Sequence, residues 1–135
     1  MNKNVNFFID LLRLMPDDAC VVFYSTEDEI LQKVKSIAVE VKIEQAEVFV
    51  PLSRRKELIK LLVCTDILPS VIHSIIERGE ATLFNSYDRM MGCYLNKPVQ
   101  IPPTFIKKYS LVEYETGWEF CGDGWDGIEQ YVLLL

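Results

Sequence analysis

Residues 19–24 have the sequence ACVVFY, a short apolar run without a polar residue at alternate positions. Such a run is typical of a β-strand that is covered on both faces. Before it, apolar residues recur at helical spacing from residue 8 to residue 15, and Pro16 ends this pattern. After it, Thr26 and Glu29 have the spacing of a capping box, which begins a helix. The order helix, strand, helix predicts a sheet with helices packed against it.

Strand and helix patterns continue to alternate along the chain. The sequence predicts strands at residues 47–52 (EVFVPL), 81–85 (ATLFN) and 90–95 (MMGCYL), and a helix at residues 53–65 that begins at Ser53. The basic residues 54–56 occupy the first turn of this helix, where the helix dipole disfavours cations. This is a local conflict, and local conflicts can mark functional residues.

Residues 71–76 (VIHSII) predict a short helix. Their apolar side chains fall on one side of a helix that begins at Pro69 and ends at Gly79, a residue suited to the left-handed conformation of a helix terminator. On this helix His73, the only histidine of the chain, lies at the flank of the apolar side. That position indicates a partly exposed helix residue and not a catalytic base.

The order of the elements predicts one domain over residues 1–135, of the α/β or α+β class. Helices pack against a mixed β-sheet, in which the early helical crossovers are expected to be parallel and right-handed. Residues 109–135 predict an antiparallel, β-rich extension of the same fold. A domain of this size does not need disulfides, so the four cysteines are expected to be reduced thiols in a cytoplasmic protein, although their even number leaves a disulfide open.

Residues 109–135 (YSLVEYETGWEFCGDGWDGIEQYVLLL) carry the charge imbalance of the chain. The whole chain has 14 Lys and Arg and 20 Asp and Glu, which gives a formal net charge of −6. This stretch has six of the carboxylates, both tryptophans and no Lys or Arg, so residues 1–108 form a neutral body. An acidic surface is unsuited to the phosphates of nucleic acids, but its field attracts a basic protein.

We therefore predict a partner-binding surface in the acidic stretch. Carboxylates raise the rate of encounter with a cationic protein, and tryptophans are large, rigid anchors. The predicted residues are Glu113, Glu115, Trp118, Glu119, Asp123, Trp125, Asp126 and Glu129. The opposing interpretation is that the tryptophans belong to the core and that the carboxylates form a solvated strand face, or pair with basic residues of the body.

Catalytic and metal-binding signatures are missing from the sequence. The single histidine has no metal-binding partner at a recognisable spacing, and no Cys-x-x-Cys pair is present. The glycines of residues 122–127 (GDGWDG) are not followed by a lysine, their aspartates repel phosphate, and the acidic residues do not follow the spacing of a calcium loop. We expect a non-enzymatic protein without a cofactor or a metal.

In size, charge and lack of a catalytic signature, the chain resembles, as a class, the small acidic immunity proteins and inhibitors with which bacteria neutralise their own toxins. No family motif carries this resemblance, and it assigns a role to no residue. It implies a cytoplasmic protein that occludes the cationic site of a basic partner, such as a nuclease toxin, without itself binding nucleic acid. No apolar run is long enough to cross a membrane.

Two other functions stay open at this point. A small enzyme or ligand-binding protein would have its site at the carboxyl ends of the strands. Candidate residues for that site are Ser25, Thr26, Ser53, Arg54, Asn85 and Ser86. A structural subunit would instead add a strand to a partner through the apolar residues 132–135 (VLLL).

Overall fold

A computed structural model of the chain describes residues 3–25, 27–87, 90–97 and 99–121. Within these residues the α-helices are α1 (Lys3–Leu14), α2 (Asp28–Lys35), α3 (Arg55–Cys64) and α4 (Pro103–Lys108). The strands are β1 (Cys20–Tyr24), β2 (Glu40–Lys42), β3 (Glu47–Pro51), β4 (His73–Arg78), β5 (Ala81–Tyr87), β6 (Gly92–Asn96), β7 (Val112–Tyr114) and β8 (Gly117–Phe120). Short 3₁₀ helices lie at Ile43–Gln45, Leu52–Arg54 and Leu68–Ser70.

The strands form a single sheet in the order β2-β3-β1-β4-β5-β6-β8-β7. Every pair of neighbours in it is antiparallel. The fold is therefore α+β, one of the two predicted classes. The C-terminal strands β7 and β8 are present and antiparallel, as predicted for the beginning of the acidic stretch.

The sheet is antiparallel throughout and not mixed, although its helical crossovers do join strands that run in the same direction, as predicted. The crossover through α2 joins β1 to β2, two strands that run in the same direction, but β3 lies between them. The crossover through α3 likewise joins β3 to β4 across β1, and α4 joins β6 to β7 across β8. Each crossover therefore skips one antiparallel strand, and no parallel pair forms.

The core lies between the helices and one face of the sheet, and α1 is its centre. Helix α1 buries six of its twelve residues. Among them, the ring of Phe7 stacks on that of Phe120 in β8, with centroids 3.9 Å apart and planes 9° apart. Phe7 also contacts Phe84, Phe105 and Tyr109 at centroid distances of 5.2–6.0 Å. These contacts join the first helix to strands and a helix more than 70 residues away in sequence.

The predicted helix at residues 71–76 is wrong, because this segment forms most of β4. The side chains of Ser74 and Ile76 are buried on the core face, and the alternate side chains of His73 and Ile75 lie on the other face. The β-branched residues of the segment were the available signal, since they favour strands. Gly79 does have a positive φ of 60°, but it lies in the turn between β4 and β5.

The cationic first turn of α3 has a structural explanation. The guanidinium of Arg55 donates hydrogen bonds to the carbonyl oxygens of Leu12 and Met15 and lies 2.7 Å from a carboxylate oxygen of Asp17. The carbonyl groups at the end of a helix lack partners within the helix. Arg55 supplies such partners at the end of α1. Its unfavourable position in the first turn of α3 is explained by these hydrogen bonds, which join the two helices.

Replacement of Phe7 by Ala removes the ring that joins α1 to β8. We expect Phe7→Ala to lower the free energy of unfolding by about 3–5 kcal/mol, because it leaves a cavity among aromatic side chains. Denaturant unfolding of the full chain measures this change. The control is Val63→Ala, at a side chain that is 52% exposed, for which a change within about 0.5 kcal/mol is expected. Equal effects of the two variants would contradict this account of the core.

Asp10 joins α1 to the end of α4. One of its carboxylate oxygens accepts hydrogen bonds from Lys108, at 2.7 Å, and from the hydroxyl of Tyr109, and Arg13 lies 3.0 Å from the other oxygen. Burial by itself raises the pKa of Asp10, but the hydrogen bonds from Lys108 and Tyr109 outweigh it, and the pKa lies below its ordinary value of 3.8. Burial and the bond to Asp10 raise the pKa of Tyr109 to about 12.

A lowered pKa in the folded state means that the charged form of Asp10 stabilises the fold. This stabilisation is complete above the pKa of the unfolded chain and is lost as the pH falls through the folded pKa. We expect Asp10→Asn to lower the free energy of unfolding by about 1 kcal/mol at pH 7, and by progressively less below pH 3.8. Denaturant unfolding across this pH range tests it, and a loss independent of pH would contradict it.

Candidate functional site

The sheet has one face towards the helices and one face away from them. Successive side chains of a strand point to opposite faces. The buried residues of all four helices belong to the core on the first face. Val22 is 2% exposed and is the only buried apolar residue of the described part of the chain that lies outside this core. We call the second side of the sheet the open face, because no helix of the described residues packs against it.

The open face collects side chains from all eight strands. The register places the following residues on it, from β2 to β7: Glu40, Lys42, Glu47, Phe49, Cys20, Val22, Tyr24, His73, Ile75, Glu77, Asn85, Tyr87, Tyr94, Glu119, Val112 and Tyr114. Most of these side chains are partly buried, whereas Glu40, Lys42, Tyr87 and Val112 are exposed. Aromatic rings and carboxylates therefore share one surface.

A row of three rings lies on the open face at one end of its central strands. Tyr24, His73 and Tyr87 lie side by side on β1, β4 and β5. The ring of His73 is 6.1 Å from that of Tyr24 and 5.4 Å from that of Tyr87, in both cases edge to face. The side-chain amide of Asn85 donates a hydrogen bond of 2.7 Å to the hydroxyl of Tyr87. These contacts hold the rings in fixed orientations.

A second pair of rings lies towards the C-terminal edge of the sheet. Tyr94 on β6 and Tyr114 on β7 pack edge to face with centroids 6.2 Å apart. Between their strands lies Gly117 of β8, which has no side chain to fill the space between the rings. A Cβ atom at Gly117 would lie 1.9 Å from the carbonyl oxygen of Leu95. The sequence therefore needs glycine at the point where β8 passes β6.

Carboxylates lie directly beside two of these tyrosines. Glu47 is opposite Tyr24 in the register, and Glu119 is opposite Tyr94. The negative charge of Glu119 raises the pKa of Tyr94, and burial followed by the charges of Glu47 and Glu77 raises that of Tyr24. Both shifts favour the neutral phenol over the phenolate.

The only cation that the described residues place on the open face is Lys42. Its ammonium is 3.8 Å from a carboxylate oxygen of Glu40 and 5.0 Å from the ring centroid of Phe49. The remaining carboxylates of this face form no ion pair with another described residue; they are Glu47, Glu77 and Glu119. Of the charged side chains that the register places on the open face, four are carboxylates (Glu40, Glu47, Glu77 and Glu119) and one is a lysine.

The structure separates the four described residues of the predicted partner-binding surface. Glu119 lies on the open face. Trp118 is opposite Leu95 and packs partly buried against the core, which agrees with the opposing interpretation for this tryptophan. Glu113 is 3.5 Å from the ammonium of Lys97, and Glu115 is exposed in the turn between β7 and β8. Only Glu119 therefore joins the aromatic and acidic side chains described above.

The other predicted residues of that surface are Asp123, Trp125, Asp126 and Glu129, and they lie outside the described residues. The apolar residues 132–135 (VLLL) lie outside them as well.

Sequence reasoning missed most of the open face, although a signal was available. In β3 the polar and aromatic residues Glu47 and Phe49 alternate with buried valines. In β4, buried and partly buried side chains alternate in the same way, but residues 71–76 were interpreted as a helix and this alternation was not used. Alternation predicts which side chains share a face of one strand, but the strand order is needed to know which strands are neighbours.

The residues proposed for a site at the carboxyl ends of the strands do not meet. Because β3 is antiparallel to β1, the segment after β3 lies at the opposite end of the sheet from the segment after β1. The hydroxyl of Ser25 donates to the carbonyl of Ser70, and that of Ser86 donates to the carbonyl of Ser74 on the core face. Ser53 and Arg54 are therefore separated from Ser25, Asn85 and Ser86, which lie at the other end because β1 and β5 run in the same direction. Thr26 lies outside the described residues.

The described residues contain no group of three or more His, Cys, Asp or Glu side chains that could hold a metal ion. The thiols of all four cysteines are free, and burial raises the pKa of the Cys93 thiol, which disfavours its nucleophilic form. In the same part of the chain, each helix is too short or too polar to span a bilayer.

Comparison of the chain with models of protein families, with curated proteins and with solved structures gives no match. The function is therefore argued from the geometry of the open face.

Trp118 and Glu119 are neighbours in sequence, and their side chains lie on opposite faces of β8. Substituting each of them in turn therefore distinguishes the core face from the open face. We expect Trp118→Ala to lower the free energy of unfolding by about 2 kcal/mol, because it removes a ring packed against the core. Glu119→Lys is expected to change it by no more than about 0.5 kcal/mol. Denaturant unfolding measures both variants, and a larger loss for Glu119→Lys than for Trp118→Ala would contradict the assignment of the faces.

Proposed function

We propose that the chain is a non-catalytic protein that binds a basic partner protein through the open face and occludes the partner's cationic site. This is the mode of action of an acidic inhibitor or immunity-type protein in the cytoplasm, for which a nuclease toxin is the kind of partner expected. The observation that carries the proposal is the combination, on one face, of aromatic rings with carboxylates that lack ion pairs within the described residues.

The two kinds of side chain have separate roles in this proposal. Long-range attraction by the carboxylates raises the rate of encounter with a cationic surface. The rings of Tyr24, Tyr87 and Tyr94 supply large contact areas with few rotatable bonds, the property of residues that contribute most to binding energy. The edge-to-face contacts of His73 and Tyr114 orient these rings before binding, which lowers the entropy cost of association.

The dimensions of the open face suit a protein partner. Eight strands at spacings of about 4.8 Å extend across roughly 34 Å, and the strands add about 15 Å in the other direction. A stable interface buries about 800 Å² on each partner, which is of the same order as this area once the relief of the side chains is included. A small-molecule site would instead be concave.

Glu119 connects this surface with the acidic stretch in which the sequence predicted it. The remaining carboxylates of residues 109–135 add to the negative field around the molecule, whose formal net charge is −6. The proposed surface is thus centred on the body of the fold and continues into the acidic stretch at β8.

The test uses the full chain as bait for basic proteins from the cells that produce it, followed by association kinetics with the purified partner. We expect a stoichiometric complex whose association rate falls steeply with ionic strength. The triple variant Glu47→Lys, Glu77→Lys, Glu119→Lys should reduce this rate by at least about tenfold at low salt.

The matched control reverses the same number of charges on the helix side of the molecule. Glu29, Glu57 and Asp66 are exposed there, and their replacement by Lys gives the same change in net charge. This control should reduce the association rate far less than the open-face variant. Equal reductions would mean that only the net charge matters, and an association rate indifferent to both variants and to salt would exclude the proposed function.

A further inference from the structure

The open face repeats one arrangement of side chains at two places. At the first, the ring of Tyr24 packs edge to face on His73 and lies opposite Glu47. At the second, the ring of Tyr94 packs edge to face on Tyr114 and lies opposite Glu119. Each place thus has a tyrosine with a carboxylate on the neighbouring strand. The supporting ring lies on the other side of the tyrosine at the first place and beyond the carboxylate at the second. All four residues of the two tyrosine–glutamate pairs are partly accessible.

A third place on the same face shows what such an arrangement holds. Phe49 and Glu40 are directly opposite each other on β3 and β2. The ammonium of Lys42 lies against both of them, 5.0 Å from the ring centroid and 3.8 Å from the carboxylate. Here the chain itself supplies the cation, which is attracted by the ring quadrupole and by the negative charge together. No cationic side chain of the described residues makes the corresponding contacts at the two tyrosine–glutamate pairs.

The chemistry of a tyrosine beside a carboxylate suits a guanidinium better than an ammonium. A guanidinium is planar, so it stacks on an aromatic ring while its edge donates hydrogen bonds to a carboxylate. Opposite residues of an antiparallel pair have Cβ atoms about 5 Å apart, which allows one guanidinium to contact both groups. An ammonium is more strongly hydrated and has no flat face to stack.

The geometry points to two arginine-binding positions on the open face, one at Tyr24 and Glu47 and the other at Tyr94 and Glu119. The partner that fits them is a basic protein surface with two arginine side chains at the matching separation. Three strand spacings and a shift of two residues place the tyrosines roughly 15 Å apart. This inference rests on the proposed function, because it names the side chains that the open face recognises.

The probes are nine-residue synthetic peptides in a glycine and serine background. The first has two arginines four residues apart, a separation of about 14 Å in an extended chain. The second has two lysines at the same positions, and the third has a single arginine. NMR titration of the full chain, followed through the ring signals of Tyr24 and Tyr94, measures the affinity for each peptide.

We expect the two-arginine peptide to shift the signals of both tyrosines. Its affinity should be about fivefold higher than that of the two-lysine peptide and about tenfold higher than that of the one-arginine peptide, because the second contact is intramolecular. Glu47→Gln and Glu119→Gln should each reduce the affinity to the level of the one-arginine peptide. Glu57→Gln, a substitution of the same kind on α3, should leave it unchanged.

Several results would overturn the inference. They are equal affinities for the arginine and lysine peptides, shifts at only one tyrosine, or the same loss of affinity in Glu57→Gln as in the open-face variants. Each can occur while the charge-reversal variants still abolish binding of a captured basic protein, and then the proposed function stands without the arginine positions. Conversely, if the arginine peptides bind as expected but no basic protein depends on the open face, the proposed function fails.

Discussion

The burial of α1 against one face of the sheet is the constraint on which the rest of the structure depends. Phe7 and Phe8 together contact rings from β1, β5, β8, α4 and the residue after α4. Helices α2, α3 and α4 bury their apolar residues in the same cluster, so all four helices lie on one side. The other side of the sheet is therefore left uncovered by the described helices, because their apolar stripes are already buried in this cluster.

The three helical crossovers give the open face its composition. Since each crossover skips one strand, residues distant in sequence become neighbours in an antiparallel register. Tyr24 lies between Glu47 and His73, and Glu119 lies between Tyr94 and Val112. The carboxylates and rings of the open face therefore come from single residues of many strands and not from one segment of the chain.

Much of the local structure could be predicted from the sequence, and the strand order could not. The apolar run of β1 and the helical spacing of α1 are local patterns, and both elements lie where they were predicted. At residues 71–76 the spacing of the apolar residues predicts a helix, whereas the β-branched composition predicts a strand. The structure has a strand there, in agreement with the composition. Of the candidate site, Glu119 was predicted from its charge, whereas Tyr24 and Glu47 are 23 residues apart and meet only through the register.

The stacking of Phe7 on Phe120 has a consequence for the time course of folding. During synthesis the apolar side of α1 leaves the ribosome more than 100 residues before β8, the strand against which Phe7 stacks. Contacts between such distant parts of a chain form slowly, because a long loop must close first. The contacts of α1 with the C-terminal strands therefore form only after most of the chain has been synthesised.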